Sequence, residues 1–168
     1  GDPLGELIVV QCERARLDAW DPTQEILAER EEHLLLGMRE IWFPLVREAR
    51  VIATFVRGFV DRIRVEAPLV KPTLLDRAQE HAPLLRSFDM PGAAPPSVYG
   101  SATAMSKLTG LFVRGPMYGW SFESLMAAPA FANLRALGLR NCGLDRRALR
   151  SLDHRPWREL ELDHEVLG

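Results

Sequence analysis

Two constellations in this 168-residue chain carry side chains of chemically useful type. Cys142 and His154 are the residue types of a thiol nucleophile and its base, provided the fold brings them within hydrogen-bond reach. A Leu-Asp-His triplet occurs twice, at 152–154 and 162–164, and Glu165 follows the second; two imidazoles and two carboxylates could hold a divalent metal. Neither constellation is expected to act. The first triplet follows a segment of helical period and the second a segment of strand period, so nothing in the sequence makes them converge. Cys142 falls at a repeat position where a small side chain serves the backbone of a turn. Cys12 lies on an apolar helical face and reads as inert core. His33 and His81 sit in helical segments as surface or boundary residues. The chain contains no G-x-x-x-x-G-K-[ST], no G-x-S-x-G and no H-E-x-x-H, which removes a phosphate cradle, a nucleophile elbow and a zincin helix. The expectation is a protein without catalysis, cofactor or metal. An enzyme or metal site around Cys142 and His164 is the lesser alternative.

The elements that would position any site divide the chain near residue 50. Residues 1–50 read as helices. Asp2-Pro3 and Asp21-Pro22 are helix starts, because Asp accepts from free backbone N–H groups and Pro lacks the N–H that the first turn leaves unpaired. Leu4, Leu7, Ile8, Cys12 and Ala15 give the first helix an apolar face; Leu27, Leu34, Met38, Ile41 and Leu45 give the second its stripe. Gln24, three residues after Asp21, suggests a capping box. Pro44 should bend or end that helix, and Glu25, Glu29, Arg30, Glu31 and Glu32 should lie on its wet face.

From residue 51 a pattern apolar-x-x-apolar-x-apolar recurs: Val60-x-x-Ile63-x-Val65, Leu85-x-x-Phe88-x-Met90, Leu108-x-x-Leu111-x-Val113, Leu134-x-x-Leu137-x-Leu139 and Trp157-x-x-Leu160-x-Leu162. Their starts are 25, 23, 26 and 23 residues apart, inside the spacing of leucine-rich repeats. The fourth copy continues through Cys142 and Leu144 to complete the strand-and-turn signature of such a repeat, Cys142 standing where Asn or Cys is usual; the fifth has Glu165 there. The first three copies lose the pattern after the strand, with Pro68, Pro95, Pro116 and Tyr118 nearby, so irregular turns are expected. The last two apolar positions of each copy are two apart and share one side of a strand. One short strand cannot bury them, but a stack of copies can. Helices over Leu74, Leu75 and Ala78, over Phe122, Leu125 and Met126, and over Ala148, Leu149 and Leu152 would cover the outside; the stretch 97–106 is a weaker helix signal. The fold class expected is α/β: a leucine-rich-repeat solenoid over 51–168, with parallel strands lining a curved sheet, behind a helical N-terminal cap.

Composition agrees with a soluble globular chain, 47% hydrophobic and 26% charged, with no apolar run near the ~18 residues of a membrane helix. No signal peptide is visible, and two cysteines 130 positions apart suit reduced thiols in a cytoplasmic protein. Residues 1–50 hold 6 Lys+Arg against 11 Asp+Glu, and the remainder 15 against 12, so no clustered basic footprint for nucleic acid exists. Arg146, Arg147 and Arg150 are expected on a solvated helix face.

The run Gly1-Asp2-Pro3-Leu4-Gly5-Glu6-Leu7-Ile8-Val9-Val10-Gln11 resembles the G-D-P-x-G-E-[FL]-I-x-x-Q motif of the bacterial repeat-companion domain. Arg30-Glu31-Glu32-His33-Leu34-Leu35, Trp42 and Arg57-Gly58-Phe59-Val60 are similar to its other landmarks. The resemblance covers roughly residues 1–60. It implies a helical companion that caps the first leucine-rich repeat, and no enzymatic activity. The acidic, tyrosine- and tryptophan-containing segment usual before G-D-P is absent, so a longer natural N-terminus is expected.

The surface expected to bind is the outward side of the strands. Three columns of residues should stand there: Arg64, Asp89, Phe112, Gly138, Glu161; Arg62, Ser87, Gly110, Ala136, Glu159; and Glu66, Pro91, Arg114, Arg140, Asp163. Exposed aromatics and arginines are favoured interface anchors, which makes Phe112, flanked by Arg114 and Arg140, the expected contact centre. Arg62 and Arg64 at one end and Glu159 and Glu161 at the other would orient a charged partner. The function expected is protein–protein interaction through this concave face. The alternative is a structural or regulatory segment packing on neighbouring domains or further repeats of a longer chain.

Overall fold

Asp2 begins the first helix as expected: its Oδ1 accepts from the Leu4 N–H at 3.1 Å, and α1 runs Pro3–Arg14. Asp21 does the same for α2, Thr23–Trp42, accepting from the Thr23 N–H at 2.8 Å. This computed structural model describes residues 1–42, 45, 51–66, 72–92 and 106–163. Pro44, Pro68, Pro95, the stretch 97–105, His164, Glu165 and Leu167 lie outside these, as do the side chains of Met38, Ile41 and Leu75.

The two helices meet through Leu7, Val10 and Leu34, all buried, with Leu27 and Leu35 beside them. Val10 replaces Ala15 in the expected face; Ala15 is exposed because it lies past the last turn. Gln24 does not form a capping box. Its amide instead turns back to α1, donating to the carbonyls of Arg14 at 2.9 Å and Leu17 at 3.3 Å, and so serves the carbonyls that the end of α1 leaves free. Glu25, Glu29, Arg30 and Glu32 are exposed, but Glu31 is drawn inward.

A hairpin follows. Strand β1, Val51–Val56, pairs antiparallel with β2, Phe59–Val65. Its two turn residues, Arg57 and Gly58, have φ of 51° and 78°, the positive pair that a primed two-residue hairpin turn needs. Glycine is required at 58 on a second count: a Cβ there would stand 2.4 Å from Cγ1 of Ile8. A bulge at Thr54/Phe55 lets Val60 and Ile63, three apart, both turn inward.

After the hairpin the chain adds parallel strands in sequence order: β3 Ser87–Pro91, β4 Gly110–Arg114, β5 Ala136–Arg140 and β6 Glu159–Asp163. The result is a six-stranded, mostly parallel sheet in an α/β fold. Helices α3 Pro72–His81, α4 Gly119–Ala127 and the single turn α5 Arg146–Leu149 stand between strands, the last two followed by 3-10 turns. The five sequence copies fall in register: Ile63, Phe88, Leu111, Leu137 and Leu160 are consecutive cross-strand partners, and Met90, Val113, Leu139 and Leu162 are another such row. From β2 to β5 the inward pairs are 0–1% exposed and share one core with Ala78, Phe122, Leu125, Ala148 and Leu152. The first apolar residue of the later copies lies before its strand, in the entering turn, and Leu85, Leu108 and Leu134 are buried there.

One hydrogen bond recurs at the ends of β3, β4 and β5, while the residues after Gly92 lie outside the described ones. Gly92, Gly115 and Asn141 each follow the last residue of a strand, and each N–H donates to the last carbonyl of the next strand, at 2.7, 2.8 and 3.1 Å. Different residue types thus make one repeated hydrogen bond, although φ is positive at Gly115 and Asn141 and not at Gly92. Cys142 sits beneath the last of these turns, 2% exposed, with its Sγ 3.6 Å from the carbonyl oxygen of Val113 and 3.7 Å from that of Arg140.

Candidate partner-binding face

Strand pairing assembles the outward columns as expected. Arg62, Ser87, Gly110, Ala136 and Glu159 are consecutive partners, as are Arg64, Asp89, Phe112, Gly138 and Glu161. The third column runs Pro91, Arg114, Arg140, Asp163, with Glu66 exposed just past β2.

Phe112 differs from expectation. It is 8% exposed and therefore no projecting anchor. The neighbouring strand carries glycine at its cross-strand partner, and the ring lies down into that gap: a Cβ on Gly138 would stand 2.4 Å from Phe112 Cδ1. The Arg62 guanidinium covers the ring, its Cζ 4.0 Å from the centroid. Phe112 thus serves as a floor that fixes Arg62, a cation–π contact worth about 0.5–1 kcal/mol at a partly exposed site.

Asp89 is likewise pulled out of solvent, at 3% exposure. Each carboxylate oxygen takes one arginine: Oδ2 accepts from Arg64 Nε at 2.9 Å and Oδ1 from Arg114 Nε at 2.7 Å. Three strands are tied by one buried acid, and two guanidinium groups are held at the surface. Arg140 pairs with Glu161 across β5 and β6, and that hydrogen bond is the main cause raising the guanidinium pKa above its ordinary value. Glu159 is exposed. The outward residues of β2–β4 therefore include Arg62, Arg64 and Arg114 against Asp89, whereas those of β5 and β6 include Arg140 against Glu159, Glu161 and Asp163. The face is positive toward the hairpin and negative toward β6.

A second polar cluster, built from the landmark residues Gln11, Glu31 and Gly58, locks α1 and α2 to the hairpin. Gln11 accepts from the Gly58 N–H at 2.7 Å and donates to the Phe55 carbonyl at 3.0 Å and to Glu31 at 2.7 Å. Arg14 completes it by pairing with Glu31. The exposed rings of Tyr118 and Trp120 stack elsewhere on the surface, their centroids 6.1 Å apart and their planes differing by 11°. An open groove of about 680 Å³ lies at the hairpin end, over Val56, Phe59 and Leu84, with Arg57 and Lys107 at its rim.

The chemically suggestive residues are not brought together in the same way. Cys142 is buried with its sulfur toward backbone carbonyls, while His154 is exposed in the turn after α5. Among the described residues no three His, Cys, Asp or Glu side chains cluster as a metal site would require. Cys12 is half-buried, His33 and His81 are exposed, and so are Arg146, Arg147 and Arg150. No helix among the described residues is long and apolar enough to cross a membrane. Compared with models of known protein families, with curated proteins and with solved structures, the chain has no match.

Proposed function

We propose that this chain is a non-catalytic protein-binding module, a helical companion domain followed by a curved leucine-rich-repeat array, which holds a partner protein on the outward face of its strands. The observation that carries this is the preorganisation of that face: Arg62 rests on Phe112, and Arg64 and Arg114 are fixed by Asp89. Charged groups held in place before binding lose little side-chain freedom on contact, which favours recognition. Support for a repeat array comes from the near-equal sequence steps that become consecutive parallel strands with one hydrogen bond repeated at their ends. Support for the companion domain comes from its landmarks, since Gln11, Glu31 and Gly58 meet in one hydrogen-bonded cluster although they are distant in sequence. Two cysteines 130 positions apart, Cys12 and Cys142, suit a reducing compartment such as the cytoplasm.

The charge layout selects a partner that is acidic over β2–β4 and basic over β6. Capture from a lysate of the native host tests this, with the wild-type chain and an Arg62→Glu/Arg140→Glu variant as baits. Arg140 is exposed and Arg62 half-buried with only a cation–π contact to lose, so the variant should melt within a few degrees of wild type while losing the captured protein. Retention of the same protein by both baits would remove the outward face as the binding surface.

A further inference from the structure

Three guanidinium groups gather at one spot of the outward face. Asp89 holds Arg64 and Arg114 through their Nε–H groups, one on each carboxylate oxygen, so both arginines keep their Nη groups for another partner. Their side chains are 42% and 34% exposed, against 4% for the carboxylate between them. Phe112 is the cross-strand neighbour of Asp89, one strand spacing of about 4.8 Å away, and the Arg62 guanidinium lies on its ring. Three cations thus meet one carboxylate. Asp61, the other acid of β2–β4, is taken by Arg86, and Glu66, past the end of β2, pairs with none of the three. Beside the cluster the outward positions are small: Ser87, Gly110 and Ala136 are consecutive partners, a bed on which an extended backbone can come close to the sheet. Strands β2, β3 and β4 each have a neighbour on both sides, so a further strand at either edge would lengthen the sheet and leave this spot uncovered.

We infer that the cluster of Arg62, Arg64 and Arg114 takes the phosphate monoester of a phosphorylated side chain in the partner protein, an inference that rests on the outward face being the binding surface. Such a phosphate carries about −1.5 to −2 charges at neutral pH and three acceptor oxygens. That matches the excess of cations over Asp89 and offers one oxygen to each guanidinium. A carboxylate brings half the charge and one oxygen fewer. A nucleic acid brings one charge per phosphate along a track, and this face turns negative toward β6. Arginine bonds to phosphate are charge-assisted and planar, the stronger kind. Asp89 acts as a positioning residue: it fixes two of the guanidinium groups before the phosphate arrives, so less side-chain freedom is lost on contact.

The probe is a short glycine–alanine peptide with one central phosphoserine, titrated into the whole chain carrying nitrogen-15. The arginine Nε–H signals of Arg64 and Arg114 should shift saturably. Peptides with serine, glutamate or the phosphoserine methyl ester at the centre should bind about tenfold more weakly or worse, the equivalent of one or two lost charge-assisted bonds. Arg62→Gln and Arg114→Gln should each weaken phosphopeptide binding about tenfold, with circular dichroism unchanged. Arg146→Gln/Arg147→Gln, on the exposed helix α5, should leave it unchanged. The inference is overturned if the phosphopeptide does not bind, if the glutamate peptide binds equally, or if the α5 variant weakens binding as much as Arg62→Gln. Tighter binding of inorganic phosphate or of vesicles containing phosphatidic acid would overturn it too. Phosphatase treatment of the host lysate separates this inference from the reading beneath it. Capture should then be lost. Capture that survives phosphatase but fails with the Arg62→Glu/Arg140→Glu bait would remove the phosphate and keep the outward face as the binding surface.

Discussion

Replacing Asp89 by alanine tests whether one buried carboxylate organises the outward face. Asp89 is 3% exposed and accepts from two arginines on flanking strands, at 2.9 and 2.7 Å. Breaking a fully buried ion pair costs about 3–5 kcal/mol, because the abandoned charge remains in a poor environment. Here the abandoned charges are arginines whose side chains are 42% and 34% exposed, so both can turn to water and the cost is reduced. What remains is two charge-assisted hydrogen bonds and a small void, together roughly 2–3 kcal/mol. For a chain of 168 residues that is a fall of about 5–10 °C in melting temperature. Urea unfolding followed by circular dichroism gives the free energy directly. Asp89→Asn preserves shape and one acceptor and should cost less, about 1–2 kcal/mol. The triple variant Asp89→Ala/Arg64→Ala/Arg114→Ala should be less destabilised than the sum of its parts, since the three groups act as one unit. A loss below about 0.5 kcal/mol for Asp89→Ala, the range of ordinary surface changes, would refute this role.

Two further outcomes are expected. Gly138→Ala should destabilise by about 1–3 kcal/mol, the range for overpacking, because its Cβ would meet Phe112 Cδ1 at 2.4 Å; Ser87→Ala on the same face, where the side chain is only half-buried, should change the urea midpoint little. Gln11→Ala should remove bonds to Gly58, Phe55 and Glu31 and cost about 1–3 kcal/mol; native-state hydrogen exchange should then show a large loss of protection at the Gly58 amide and little change in β4.

The parts of this fold that could be read from sequence are those with a period. Leu111-x-Val113 and Leu137-x-Leu139 announce a strand with one dry side, and constant spacing between copies announces neighbours. A strand's register is fixed once one face must be buried, so the outward columns followed from the inward ones. Phe112 is buried where an exposed ring is expected, because its burial depends on what the next strand lacks. Only the pairing with Gly138 shows that a ring on the outward side can lie flat. Gln24 and Gln11 were opaque for a related reason. A glutamine three residues past an aspartate fits a local cap, yet the carbonyls left free by α1 and the turn at Gly58 compete for these amides. The β1 strand hid its alternation because Val51-Ile52-Ala53-Thr54-Phe55-Val56 is apolar at nearly every position, and only its pairing distinguishes the buried Val51, Ala53 and Phe55 from the exposed Ile52, Thr54 and Val56.

The cluster around Gln11 and Glu31 gives the sheet unequal ends. At the hairpin, two helices are bolted down by side chains that each serve several partners. At β6, nothing described comparable holds the strand, and its leucines already share their surface with solvent. In an assembly where each strand leans mainly on its immediate neighbours, fraying starts at the looser margin and moves inward one strand at a time. Thermal or mechanical stress on the described residues should therefore loosen β6 before the hairpin that the two helices hold.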